Sequence, residues 1–166
     1  TPDEAWRAAF ESVFLGAVRL ARLLGSHLTD ESDKAPEARV IAGTGGSIVL
    51  VLASSVRVPL PQLAVSNGLF PGLAGVVKML AEEVGPSGVR VNGILPVRIA
   101  TDRVRQLDAL SGDPDEVRAR KSADIPLRRY GEPEEFGRVA AFLLSPAASY
   151  ITGAMIPVDG GSIRAI

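Results

Sequence analysis

The residues able to do chemistry are few. Cysteine is absent and His27 is the one histidine. That removes disulfides, thiolate nucleophiles and cysteine zinc sites together, and it leaves a Ser-His-Asp triad or a histidine-based zinc site without support. His27 stands at the end of a helical pattern, where the helix dipole favours a cation, and reads as a solvated cap. Gly43-Thr44-Gly45-Gly46 has the composition of a phosphate loop. Such a loop must follow a strand and open a helix, so that backbone N–H groups and the dipole face the phosphates. This one instead leads into an apolar strand-like run, so a turn or loop is the better reading. Asp3/Glu4 and Asp115/Glu116 sit at helix starts, while Glu82/Glu83 and Glu134/Glu135 read as solvated faces, so no paired-carboxylate site emerges. Arg98, Arg103 and Arg105 lie just past a strand end. They could meet a phosphate, although a solvated helix face is the stronger reading.

The elements that must position these groups follow from periodicity. Thr1-Pro2-Asp3-Glu4 reads as a helix start, with Thr1 as cap, Pro2 in the first turn and Glu4 closing a capping box. Trp6, Phe10, Val13, Phe14, Ala17, Ala21, Leu24 and Leu28 then recur at helical spacing and predict a long amphipathic helix to about His27. Residues 29–46 are polar and Gly-rich and predict a long loop. The unbroken run Ser47 to Ala53 suits a strand buried on both faces of a parallel sheet. Leu73, Val76, Val77, Leu80, Ala81 and Val84 mark a second helix, stopped by Gly85-Pro86-Ser87-Gly88. Val89 to Leu95 is a second buried strand, so strand, helix and strand form a crossover unit. Further helices start at Asp113-Pro114-Asp115-Glu116 and at Pro133, the latter burying Phe136, Val139, Ala140, Leu143 and Leu144. Ala154 to Val158 is a last short strand before Asp159-Gly160-Gly161.

Bulk properties agree with one compact domain. The chain has 166 residues, 46% hydrophobic and 22% charged, a globular rather than disordered composition. A net charge of -1 gives no reason to expect nucleic acid or an anionic membrane as partner. The longest apolar run, Ile48 to Ala53, is too short to span a bilayer, and no charged-then-apolar segment reads as a signal peptide. With cysteine absent, the expectation is a cytoplasmic protein.

Several blocks carry a resemblance. Gly88-Val89-Arg90-Val91-Asn92-Gly93-Ile94-Leu95-Pro96 is similar to the sixth strand and following loop of the short-chain dehydrogenase/reductase family. Pro126-Leu127, Gly131-Glu132-Pro133-Glu134-Glu135, Tyr150-Ile151-Thr152-Gly153 and Val158-Asp159-Gly160-Gly161 resemble its C-terminal blocks in order and spacing. Asp3-Glu4-Ala5-Trp6 resembles the start of its fourth helix. The resemblance implies an α/β fold, the C-terminal portion of a doubly wound, Rossmann-type parallel sheet, occupying 1–166 as a single partial domain. The N-terminal βαβ units, with the Gly-rich turn that binds the dinucleotide pyrophosphate, have no counterpart. The chain is then cut, or upstream residues are not represented, or it is a natural remnant.

The same resemblance implies the site. The family uses Asn, Ser, Tyr and Lys; Tyr is the general acid/base, and the Lys charge four residues on lowers its pKa. Counting from Gly72-Leu73-Ala74-Gly75, the Tyr position falls on Ser66 and the Lys position on Phe70. Counting from Trp6, the Asn position falls on Val13; the Ser position is Ser55 or its neighbour Ser54. Ser66 is far less acidic than a phenol, and Phe70 supplies neither a charge nor a hydrogen bond to a nicotinamide ribose. Val13 cannot order a proton-relay water. Pro71 removes a helical N–H, which predicts a shifted or bent helix start. Lys78, about 12 Å along by helix rise, is too far to substitute. In the loop after the sixth strand, Pro96, Ile99 and Thr101 match the family's cofactor-wrapping pattern, but Val97 replaces a Gly, a poor exchange if that position needs positive φ. Thr101 serves equally well as a helix cap. The run Ser54 to Pro61, with Ser66-Asn67 at the Tyr position, is also similar to an atypical branch of the family.

The expected function is therefore that of an NAD(P)-dependent oxidoreductase with a degenerate active site. The alternatives are a non-catalytic cofactor-binding or assembly subunit, and an inactive truncated remnant. NAD or NADP is implied as cofactor, with this chain alone expected not to bind it or to turn over. A homo-oligomer is implied, dimer or tetramer, paired through the helices over 1–27 and 66–84 and through the last strand.

Overall fold

The computed structural model describes residues 1–29 and 46–165, with side chains over 1–23 and 46–165. The expectations for His27, Leu24 and Leu28 side chains, for most of the 29–46 loop and for Gly43-Thr44-Gly45 lie outside the described residues.

Six α-helices and three strands, joined by short turns and one π-helical stretch, build the fold of the described residues. Helix α1 (Asp3–Ala9) runs through a π-helical stretch (Phe10–Leu15) into α2 (Gly16–Thr29). Strand β1 (Ser47–Val51) leads through a short 3-10 turn (Ser54–Val56) to α3 (Ala64–Val84). Strand β2 (Arg90–Pro96) is followed by α4 (Asp102–Ala109) and α5 (Pro114–Ala123). Helix α6 (Pro133–Leu144) and strand β3 (Met155–Val158) close the order.

The strands form a parallel sheet in the order β1-β2-β3, with Ile48 opposite Val91 and Ile94 opposite Ile156. Alternation along the strands sends side chains to two cores. On one face Ile48, Val91 and Leu95 meet Leu73, Val77, Leu80 and Val84 of α3, with Phe14, Ala17 and Ala21 of the first helix beside them. On the other, Ile94 and Val49 meet Leu143 and the half-buried Phe136 and Val139 of α6. This is a three-layer α/β/α arrangement around a parallel sheet, as the resemblance implies.

Several local expectations change. Thr1 does not cap α1: Pro2 occupies the cap position, no side chain caps it, and the Pro2 carbonyl accepts from Ala5 and Trp6 N–H. Phe10 and Val13 are exposed rather than buried, because the backbone widens at the π-helical stretch and rotates them off the core face. Ser12 Oγ donates to the Ala8 carbonyl at 2.7 Å, a bond that competes with the helix ladder there. Strand β1 ends at Val51, which is 58% exposed at the sheet edge, so this strand is not buried on both faces along its length. Leu144 is also exposed. Pro71 neither shifts nor ends α3, which begins at Ala64, about two turns before it. By length and composition Ala64–Ser87 could cross a membrane, which the longest-run argument overlooked; here it packs Leu73 and Val77 against the sheet.

Candidate active site

β1 delivers the chain to the 3-10 turn in which Ser54 and Ser55 are buried. The return to α3 is fixed by Asn67, whose amide donates to the Leu60 carbonyl and whose oxygen accepts from Leu60 N–H, both at 2.8 Å. Gln62 in that return takes positive φ, 63°, a conformation that non-glycine residues seldom adopt. The result is contact between the two serines. Ser55 Oγ lies 3.1 Å from Ser66 Oγ and 3.2 Å from the Ser66 carbonyl.

Helix α1 and the π-helical stretch after it reach this region by close approach to α3. A Cβ on Gly68 would meet the Trp6 ring at 2.7 Å, and one on Gly72 would meet the Phe14 ring at 2.8 Å. The approach carries Val13 to the same cavity as Ser66 and Phe70, a space of about 290 Å³ otherwise lined mainly by Leu63, Val65 and Leu69. Val13, Ser66 and Phe70 thus share one cavity, and Ser55 is hydrogen-bonded to its rim. The chemistry available is that of two aliphatic hydroxyls against an apolar wall. They can orient one another or a ligand; they carry no charge.

The two tyrosines of the chain are elsewhere. Tyr150 is fully exposed. Tyr130 is buried, and burial together with its hydrogen bond to Asp108 pushes its phenol above the ordinary value. Lys78 is exposed two turns beyond Phe70.

The loop after β2 is tightly held. Ile99 bridges Gly131, Ala100 N–H donates to the Gly131 carbonyl at 2.8 Å, and Gly131 N–H donates to the Arg98 carbonyl at 2.9 Å. Thr101 accepts from Val104 N–H and caps α4. Val97 is not among the residues at positive φ, so the feared backbone strain is absent and only the added side chain distinguishes it from Gly. Arg98 does not lie on a solvated helix face: it is half-buried and pairs with Asp108 at 3.2 Å, whereas Arg103 and Arg105 are exposed as expected. Glu135 keeps part of the expected solvent exposure but is also paired. It takes Arg129 through both oxygens at 2.7 Å and accepts from Glu132 N–H, and these bonds hold its carboxyl at about 2.

A dinucleotide would find one wall here. Pro96, Val97, Ile99 and Thr101 could border its nicotinamide end, but Phe70 offers the ribose no hydrogen bond. Among the described residues there is no strand, Gly-rich turn and helix to receive a pyrophosphate. The described residues alone do not fit the whole group. No metal site arises among them either: no cluster of three or more His, Asp or Glu is present.

The sequence reading missed the cluster around Asp108. Val104 and Asp108 stand four apart, so the carboxylate falls beneath an apolar residue on the inward side of α4. That spacing was the available signal.

Comparisons with known proteins agree over nearly the whole chain. The family described as enoyl-(acyl carrier protein) reductase matches residues 1–162. Protein FixR of Bradyrhizobium diazoefficiens is 36% identical over 97% of this chain and 50% of its own length. The inactive 2-(S)-hydroxypropyl-CoM dehydrogenase 2 of Xanthobacter autotrophicus is 32% identical over 88% of this chain and 62% of its own. Among solved structures, the NADPH-bound short-chain oxidoreductase of Pseudomonas aeruginosa PAO1 containing an atypical catalytic center is 28% identical, with a TM-score of 0.80 over 100% of this chain and 60% of that one. The chain spans about half to three-fifths of the length of these proteins. The three-layer fold, the ordered sequence blocks and these relatives together place the chain in the short-chain dehydrogenase/reductase family.

Proposed function

We propose that this chain supplies the C-terminal part of an NAD(P)-dependent oxidoreductase domain, acting on carbonyl or hydroxyl groups, whose proton-transfer site is degenerate. The observation that carries the reading is the Ser55–Ser66 hydroxyl contact at 3.1 Å, with Phe70 one turn beyond Ser66. In the family a phenol beside an ammonium group holds those places, and the proton it hands over needs the lowered pKa that the charge provides. Ser66 has no such neighbour on α3, and the raised pKa of Tyr130 runs the wrong way for an acid/base near neutral pH. The cofactor reading draws support from the NADPH-bound relative with its atypical center. Its pyrophosphate would be bound by residues outside those described.

A second reading is favoured by the relative named as an inactive dehydrogenase: a non-catalytic subunit that binds cofactor or supports assembly. Self-association through the faces of α2 and α3 that expose Leu20, Leu23 and Met79 fits either reading, as does a cytoplasmic location.

The test uses protein from the complete reading frame. NADPH and NADH binding are titrated by cofactor fluorescence, and oxidation is followed with a panel of carbonyl compounds. Turnover by a non-standard acid/base would remove the subunit reading, and binding without turnover would establish it. The degenerate-site reading predicts that Ser66→Tyr with Phe70→Lys raises turnover, or creates it, in cofactor-binding protein. The reading fails if the 166-residue chain alone shows a rate that Ser55→Ala abolishes.

A further inference from the structure

The α4–α5 hairpin sits beside the loop 96–101 with very little apolar anchorage. The one buried side chain of α4 is Asp108, 2% exposed, and the one buried side chain of α5 is Val117. Leu107 and Leu110 face solvent. Hydrophobic burial, which holds most surface helices, is nearly absent here.

The carboxylate takes its place. Asp108 Oδ1 accepts from Arg98 Nη1 and from Lys121 Nζ, each at 3.2 Å, and Oδ2 accepts from the Tyr130 hydroxyl at 2.9 Å. The three donors come from three segments: the loop after β2, helix α5, and the stretch that leads into α6. The Arg98 and Arg118 guanidinium groups lie 5.9 and 5.1 Å from the Tyr130 ring centre. No buried side-chain nitrogen or oxygen is left without a partner among the described residues. One carboxylate thus holds together two cations and a phenol, while Arg118, over the phenol ring, pairs with Glu132 at 3.8 Å.

We infer that Asp108 is a positioning residue: it fastens the α4–α5 hairpin and the loop 96–101 into one arrangement that does not depend on a bound ligand. The inference rests on the proposed function only for what that loop faces. An exposed ion pair contributes little, but removing the acid from a buried pair leaves its partners uncompensated. Here the loss would leave Arg98 and Lys121 without their carboxylate and the Tyr130 hydroxyl without its acceptor, while Arg118 keeps Glu132.

The test is amide hydrogen exchange on protein from the complete reading frame, without cofactor. Asp108→Asn is expected to speed exchange across residues 98–123 at least tenfold, with residues 47–51 and 90–95 changed less than twofold. Tyr130→Phe keeps the ring and removes one bond, and is expected to give a smaller acceleration over the same segment. Adding Arg98→Met and Lys121→Met to Asp108→Asn should recover much of the protection, because the uncompensated cations are then gone; a merely space-filling role would be worsened by them. Unchanged exchange over 98–123, a uniform rise across the chain, a larger effect from Tyr130→Phe or no recovery in the triple variant would each overturn the inference. If Asp108→Asn does not fold, Tyr130→Phe alone decides, by whether its acceleration is confined to 98–123. Repeating the measurement with NADPH addresses the cofactor reading separately, so either can fail while the other stands.

Discussion

Asn92 offers the most direct test of how the central strand holds the segment between α6 and β3. It is fully buried on β2, its amide donates to the Ile151 carbonyl at 2.9 Å, and its oxygen accepts from Ala154 N–H at 3.0 Å. Asn92→Ala leaves the half-buried Ala154 N–H unpaired and the Ile151 carbonyl with only the long bond from Arg90 Nη1 at 3.5 Å. With one group unpaired, the expected loss is about 1–3 kcal/mol, a sizeable part of the stability of an ordinary domain. Asn92→Asp is the sharper variant because the shape is kept. An ionised carboxylate would face the Ile151 carbonyl with no proton to donate, and burial also disfavours the charge. The carboxyl therefore keeps its proton in the folded state, with a pKa raised above the unfolded value of about 3.9. Between those two values the folded state binds more protons than the unfolded one. Stability of the variant is then greatest below the unfolded pKa and falls as pH rises through the folded pKa, by at most about 1.4 kcal/mol per pH unit. Urea unfolding of wild type and Asn92→Asp from pH 3 to pH 8 measures this. A difference between the two that stays constant with pH, or an Asn92→Ala loss below about 1 kcal/mol, would refute the reasoning.

Three further outcomes are expected. Glu135 has a depressed folded pKa, about 2 against 4.5, so its contribution is complete above about pH 4.5 and is lost as pH falls through about 2; the stability gap between wild type and Glu135→Gln should shrink over that window in acid unfolding curves. Gly160 has φ of 64°, and a Cβ there would meet Ile125 Cγ2 at 2.8 Å, so Gly160→Ala should cost about 2–4 kcal/mol by thermal or urea unfolding, and a neutral result would refute the clash. Ser55→Ala removes the hydroxyl's two contacts to Ser66 while Ser66 stays half-buried, within reach of water, so the loss in urea unfolding should be about 1 kcal/mol; a loss above about 3 kcal/mol would mean Ser55 holds more than Ser66.

The elements were legible wherever periodicity and punctuation coincide. Asp113 caps α5 by accepting from Asp115 and Glu116 N–H, as its Asp-Pro start predicts, and the parallel pairing of β1 with β2 follows from two apolar runs joined by one helix. The failures have separate causes. Phe10 and Val13 fit a 3.6-residue period, but the helix widens at Phe10–Leu15, and a period read from apolar spacing cannot register an extra residue in a turn. Val51 fits a buried strand, but β1 is an edge among the described residues, as the missing N-terminal βαβ units implied and the apolar run alone does not. Of the site, the residues that share the cavity were found through the resemblance of sequence blocks. The Asp108 cluster was not found, because its members are drawn together from segments up to 32 residues apart by pairing that only the fold creates: Arg98 to Tyr130 spans the separation.

That cluster also bears on whether Tyr130 could serve in place of the hydroxyl proposed at Ser66. A phenol with cations close by is the combination a proton-transfer site needs, and Tyr130 has Arg98 and Arg118 within 6 Å of its ring. The cations alone would lower its pKa. Burial and the Asp108 carboxylate act against them, and the balance raises it. A hydroxyl whose proton is already donated to a buried anion at 2.9 Å is held in the acid form, and releasing it would put a second negative charge beside the first. The same carboxylate that orders the loop therefore prevents the phenol from serving as the base. Substituting Asp108 would remove that restraint and its anchoring together, so a gain of proton-transfer chemistry at Tyr130 is not expected from any single change at this cluster.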